Sequence, residues 1–229
     1  MTLEFETLLE KRKLRSSRDE FPLISFYEKI KRTRLLSDFA ETKRGTGALK
    51  LKSEARRQFI ISLVTALEVY LGDLTIELID KAQIKYGKRI IESASKKYDI
   101  IEIREILRNK ITMGELICDQ INFQNLEKIF GFLKNLFGTD MSKLLEKNKF
   151  IYTNQRGNPF TIFLRRGFNK NLQRVIKMRH TFTHDIRFSD TPSLVDLKKC
   201  EVLIKRFAVC IDVKADQFRK VESSRIIKK

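Results

Sequence analysis

Arg179-His180-Thr181-Phe182-Thr183-His184 gathers the side chains of this sequence best suited to chemistry. The chain has only two histidines, and both lie within these six positions. A guanidinium stays cationic at any relevant pH, and imidazole is the side chain that titrates nearest neutrality. Together they can hold a phosphate and move a proton. The reaction that needs no more than this set is RNA cleavage without a metal. The 2′-hydroxyl attacks its own adjacent phosphate when a base takes its proton, and an acid helps the 5′-oxygen leave. A guanidinium can meet two of the phosphoryl oxygens as their charge grows.

Two rival readings attach to the same residues. His180 and His184 stand at i and i+4, which share a helix face and also suit a metal. A metal site wants a third or fourth ligand. No other histidine exists to supply one, and Arg179 with its basic surroundings repels a cation, so no metal site is expected. The second rival is structural: Arg179 pairs with a carboxylate such as Asp185 or Glu68, and the histidines are ordinary surface residues. The catalytic reading carries a geometric difficulty. Arg179 and His184 are five residues apart, about 140° of rotation and roughly 7.5 Å of rise on a regular helix. Either the helix distorts near Thr183, or the long arginine wraps round, or two copies of the chain pool their residues.

The charge pattern bears on what these residues would meet. The 229 residues carry a formal net charge of +18. Residues 1–57 hold 15 Lys/Arg against 9 Asp/Glu, residues 58–142 hold 11 against 12, and residues 143–187 hold 11 against 2. The excess peaks around the Arg/His cluster, where a polyanion, most commonly nucleic acid, is the expected partner, and the chemistry above makes that RNA. Arg165, Arg166, Lys170, Arg174, Lys177 and Arg187 are the expected contacts. Charged residues at 33% and apolar residues at 42% suit a soluble, core-forming chain. Cys118, Cys200 and Cys210 form no CxxC pair and have no histidine near them, so reduced, mostly buried thiols are expected. The N-terminus lacks an apolar signal core, and no apolar run reads as a membrane span. A cytoplasmic protein without a membrane partner or cofactor is the expectation.

The elements that must position the cluster read as helices. Tryptophan is absent, and the chain has three prolines and nine glycines. Residues 1–20 are polar and suggest a loosely held helix. Pro22 opens a segment running to about Thr42, which Gly45-Thr46-Gly47 breaks. From Leu49 to Tyr86 no proline occurs and Gly72 is the one internal glycine. There Ile60, Leu63, Leu67, Leu71, Leu74 and Leu78 recur at steps of three and four, one face of a helix. Glu68 lies beside that stripe, either at its rim or aimed into a polar pocket. Residues 88–150 read as shorter helices, with Gly114, Gly131 and Gly138 as breaks or caps. Tyr152-Thr153-Asn154-Gln155-Arg156-Gly157-Asn158-Pro159 is a loop signal. A helix starting at Phe160 or Phe168 leads into the cluster. Thr191-Pro192 reads as the start of a last helix, with Leu197, Cys200, Ile204, Phe207 and Ile211 as its packing seam. Val221–Lys229 is a basic tail expected to fray. No stretch alternates at period two for long enough to predict a sheet, so the expected architecture is an all-α bundle.

Arg179-His180-Thr181-Phe182-Thr183-His184 resembles the Arg-polar-x-x-x-His signature of the HEPN superfamily (higher eukaryotes and prokaryotes nucleotide-binding domains). Arg57-Gln58-Phe59-Ile60-Ile61-Ser62-Leu63-Val64-Thr65-Ala66-Leu67-Glu68-Val69-Tyr70-Leu71 is similar to the early core helix of bacterial members. The signature lies on the penultimate helix, followed by a short linker and a final amphipathic helix, as in that fold. The resemblance implies a HEPN-like helical domain over 49–218, with 87–158 as an insertion. Residues 1–48 are then an N-terminal helical extension and 219–229 a basic tail. It implies a homodimer with the signature near its cleft and metal-independent endoribonuclease activity. The settings implied are toxins, anti-phage defence or RNA processing, with an antitoxin or defence-system protein as partner. Arg179 and His184 would be catalytic, with His180 and Glu68 supporting. His180 fills a position more often held by asparagine or aspartate. Some members bind RNA or nucleotides without cutting, so a regulatory RNA-binding module is the alternative. A basic protein docking an acidic partner is a third.

Overall fold

The computed structural model describes residues 3–16, 21–81, 98–147, 149–153, 158–184 and 191–226. The chain is mostly helical, as the periodicity predicts. Helices α1 (Leu3–Ser16), α2 (Pro22–Glu41) and α3 (Ala48–Lys81) lead the chain. The shorter α4 (Ile100–Arg108), α5 (Met113–Gln120), α6 (Leu126–Phe137) and α7 (Met141–Glu146) follow. Strands β1 (Lys149–Thr153) and β2 (Pro159–Phe163) come next, then α8 (Phe168–His184) and α9 (Leu194–Ile226).

Two compact units are distinguished. One comprises residues 1–22, 71–140 and 214–229, the other residues 23–70 and 141–213. The second unit holds the Arg/His cluster. Its core takes Phe26 and Ile30 from α2, Phe59, Ile60, Leu63, Leu67 and Tyr70 from α3, and Phe168, Leu172, Val175 and Ile176 from α8. Leu197, Ile204, Phe207 and Ile211 of α9 complete it, all fully buried as their seam spacing predicts. Tyr70 ties α3 to α9 by donating its hydroxyl to the Ala208 carbonyl at 3.1 Å.

The strand pair departs from the sequence reading. β1 and β2 form an antiparallel hairpin, with Lys149 opposite Phe163 and Thr153 opposite Pro159. Each strand is five residues long. That is too short for its alternation to stand out from a helical apolar stripe, although Phe150, Ile151, Thr161 and Ile162 are types that favour strands. The loop signal marks the hairpin connection, of which residues 154–157 lie outside the described residues. Gly167, at φ +76°, then turns the chain into α8, in a backbone region that suits glycine.

The first unit corrects the expectation of a loosely held α1. Arg12 donates to the carbonyls of Asn109 and Lys110 at 2.6 and 2.7 Å. Arg12 and Arg15 both pair with Glu115, which is only 4% exposed. Lys11 meets Asp119 at 2.6 Å, and Leu8 is buried with Ile111 and Leu116. Gly114 lets α5 approach α3 closely. A Cβ there would lie 2.8 Å from the Ile76 carbonyl oxygen, and its N–H donates to Asp80 at 2.8 Å. Gly138 caps α6 in the left-handed region, whereas Gly131 sits inside α6 and breaks nothing.

Three further expectations are revised. α3 is long and apolar enough to cross a membrane by length and composition, which the sequence reading did not allow for. Its stripe from Ile60 to Leu78 is buried within the protein. The cap of α9 is Ser193, not Thr191. Ser193 and Asp196 bond each other's backbone N–H groups reciprocally, and Pro192 precedes the helix. Thr191 instead shares a hydroxyl hydrogen bond with Ser53. The tail is helical through Ile226, and residues 227–229 lie outside the described residues.

Candidate functional site

The apolar residues of α8 decide how the cluster is presented. Phe168, Leu172, Val175 and Ile176 are buried, so they mark the inward arc of the helix. At about 100° per residue, Arg179 falls in the middle of that arc. Its side chain is 15% exposed, and its Nε lies 4.0 Å from Oε1 of Glu68, itself 17% exposed. Glu68 therefore points inward from α3 rather than outward from its rim. Of the two carboxylates named for Arg179, the structure brings Glu68 to it, and Asp185 lies outside the described residues.

His180 and His184 lie on another face. Both are exposed, with ring centroids 4.6 Å apart and planes inclined at 48°. α8 runs as a helix through His184, so Arg179 and His184 diverge by the angle of a regular helix within one chain. The helix does not distort near Thr183 to bring them together. Thr181 and Thr183 donate their hydroxyls to the carbonyls of Lys177 and Arg179, at 3.2 and 2.8 Å. Both hydroxyls are thus engaged by their own helix.

The predicted basic residues share the outward side of α8. Lys170, Arg174 and Lys177 are exposed at i, i+4 and i+7 and stand on the arc that also carries His180 and His184. Arg165 and Arg166 are exposed in the turn before α8, and Arg187 lies outside the described residues. Asn169 anchors the start of the helix, donating to the Ser142 carbonyl at 2.9 Å.

A groove of about 1290 Å³ runs between α8 and α9, within the second unit. Besides the expected Arg165, Lys170, Arg174 and Lys177 it is lined by Arg34, Lys198, Lys199 and Arg206, which the sequence reading did not single out. Lys199 and Arg206 are one heptad apart, a stripe that could have been read beside the packing seam. Two acids face the groove, Asp196 and Glu201. The Ser193 hydroxyl holds the Asp196 carboxyl below the usual range. Glu201 is bracketed by Arg34 at 2.6 Å and by Lys205.

The cysteines are unreactive by position. Burial pushes the thiols of Cys118 and Cys210 up to about 12 and that of Cys200 to about 11. Among the described residues, no group of three or more His, Cys, Asp or Glu side chains is placed to hold a metal ion. Comparison with protein-family models, with curated proteins and with solved structures gave no match to this chain.

Proposed function

We propose that this protein is an RNA-directed, metal-independent endoribonuclease of HEPN type that works as a homodimer. The observation that carries the reading is the exposed histidine pair on the same arc of α8 as Lys170, Arg174 and Lys177. Basic side chains hold the phosphates, and an imidazole beside them moves the proton. In the reaction the 2′-oxygen bonds to phosphorus as the P–O5′ bond breaks. A base takes the 2′-proton, an acid gives one to the 5′-oxygen, and the products carry a 2′,3′-cyclic phosphate and a 5′-hydroxyl. His184 acts in proton transfer, with His180 supporting. Arg179 stabilises the developing phosphoryl charge, supplied across a dimer because one helix separates it from His184. The HEPN resemblance adds the setting, a cytoplasmic toxin or anti-phage defence protein with a cognate partner.

A second reading, RNA binding without cleavage, is favoured by the turn of Arg179 toward Glu68. Docking of a protein partner is favoured instead by the exposed Leu35, Leu36 and Phe39 on α2. Incubation of the purified protein with mixed RNA in the presence of a chelator separates them. The first reading expects cleavage with cyclic phosphate ends, abolished by His184→Ala and by Arg179→Ala and reduced less by His180→Ala. An active His184→Ala protein, or activity that disappears with the chelator, overturns it. RNA bound but uncut selects the second.

A further inference from the structure

We propose that the groove between α8 and α9 holds a single-stranded stretch of RNA, with phosphates on its basic rim and bases on its apolar floor. This rests on the RNA-directed reading above and adds to it a second wall and a preference for unpaired strands.

The rim has two sides. Lys170, Arg174 and Lys177 line it from α8, and Lys198 and Arg206 line it from α9. Among the described residues no carboxylate lies within ion-pair distance of these five cations. Of the two acids of the groove, Asp196 caps the helix through Ser193, pairs with Lys199 at 3.9 Å and feels the charge of Arg174, and Glu201 is taken by Arg34 and Lys205. The cations lining the groove outnumber these two acids, so the rim keeps an excess of positive charge, which an anion spanning both helices would neutralise.

The floor sets the class of anion. Val175, Met178, Phe182, Pro192, Val202 and Leu203 line the groove between the cations. A duplex keeps its bases stacked inside and offers such a floor nothing, whereas an unpaired strand can turn its bases onto it. The volume, about 1290 Å³, exceeds the roughly 300–1,000 Å³ usual for a small-molecule pocket. A run of several nucleotides suits it better than a free nucleotide.

The test uses the full chain and a labelled oligouridylate with 2′-O-methyl riboses, which lacks the nucleophile and cannot be cut. Binding is read by fluorescence anisotropy across a salt series, beside a duplex and an abasic oligomer of equal length. The oligouridylate should bind about tenfold or more tightly than either competitor. In Lys198→Gln/Arg206→Gln the slope of log affinity against log salt should shrink by about 1.4, from two lost single-strand phosphate contacts. Lys198→Gln alone, at an exposed position, should give about half that change and serves if the double variant folds poorly. Equal affinity for duplex or abasic oligomer, or an unchanged slope, overturns the groove while leaving the RNA-directed reading intact. A wild-type chain that binds no RNA in any form overturns both.

Discussion

Removing Arg179 should cost stability as well as activity, and the two losses can be separated. Arg179 and Glu68 lie 4.0 Å apart with 15% and 17% of their side chains exposed. At that distance the Coulomb attraction is about 4 kcal/mol for an effective dielectric of 20. The remaining solvent contact screens part of it, and we retain about 2 kcal/mol. Arg179→Ala takes a guanidinium away from a mostly buried carboxylate, so the single variant should lose roughly that much. For a chain of this size about 2 kcal/mol corresponds to a melting temperature lower by roughly 4–8 °C. Glu68→Gln removes the charge from the other side and keeps the shape. The assay is a double-mutant cycle by thermal and urea unfolding, run beside RNA cleavage on the same four proteins. The expected coupling is about 1–2 kcal/mol, allowing for desolvation of the pair. Glu68→Gln should keep measurable cleavage, while Arg179→Ala should lose it beyond what its stability explains. A coupling near zero would refute the ion pair. Equal loss of cleavage in both variants at matched stability would refute a direct role for Arg179 and leave it as a positioning residue.

The remaining predictions concern the two units separately. Glu115→Ala leaves Arg12 and Arg15 without their shared, 4% exposed carboxylate. It should destabilise the first unit by about 3 kcal/mol, with faster proteolysis within α1, and wild-type resistance in the variant would contradict the tether. In the second unit Arg56 donates to both oxygens of Glu41, at 2.7 and 3.0 Å. Those hydrogen bonds hold the Glu41 carboxyl below its ordinary value. The pair's contribution is therefore present above the unfolded carboxyl pKa of about 4.3 and is lost as pH falls through the lower folded value. Unfolding measured from pH 6 to pH 3 should show a steeper loss in wild type than in Glu41→Gln, and parallel curves would count against it.

The sequence alone determined the helices and their buried faces. Ile60 to Leu78 on α3 and Leu197 to Ile211 on α9 repeat at three and four because helical hydrogen bonding has a local period of 3.6 residues, which the order of side chains displays directly. The basic excess over 143–187 was equally legible, since charge is a property of composition. The inward aim of Arg179 was half legible: given a helix from Phe168, its apolar residues put Arg179 in their own arc. Which carboxylate would receive it was not legible. That Glu68 would meet it depends on α8 standing beside α3 in the same unit, which no local pattern records, and Asp185 lies outside the described residues. The hairpin, the tether of α1 through Glu115, and Lys198 and Arg206 lining a groove with α8 belong to the same class. Each joins residues far apart in the chain, and such pairings are chosen by the packing of whole elements, which no local period records.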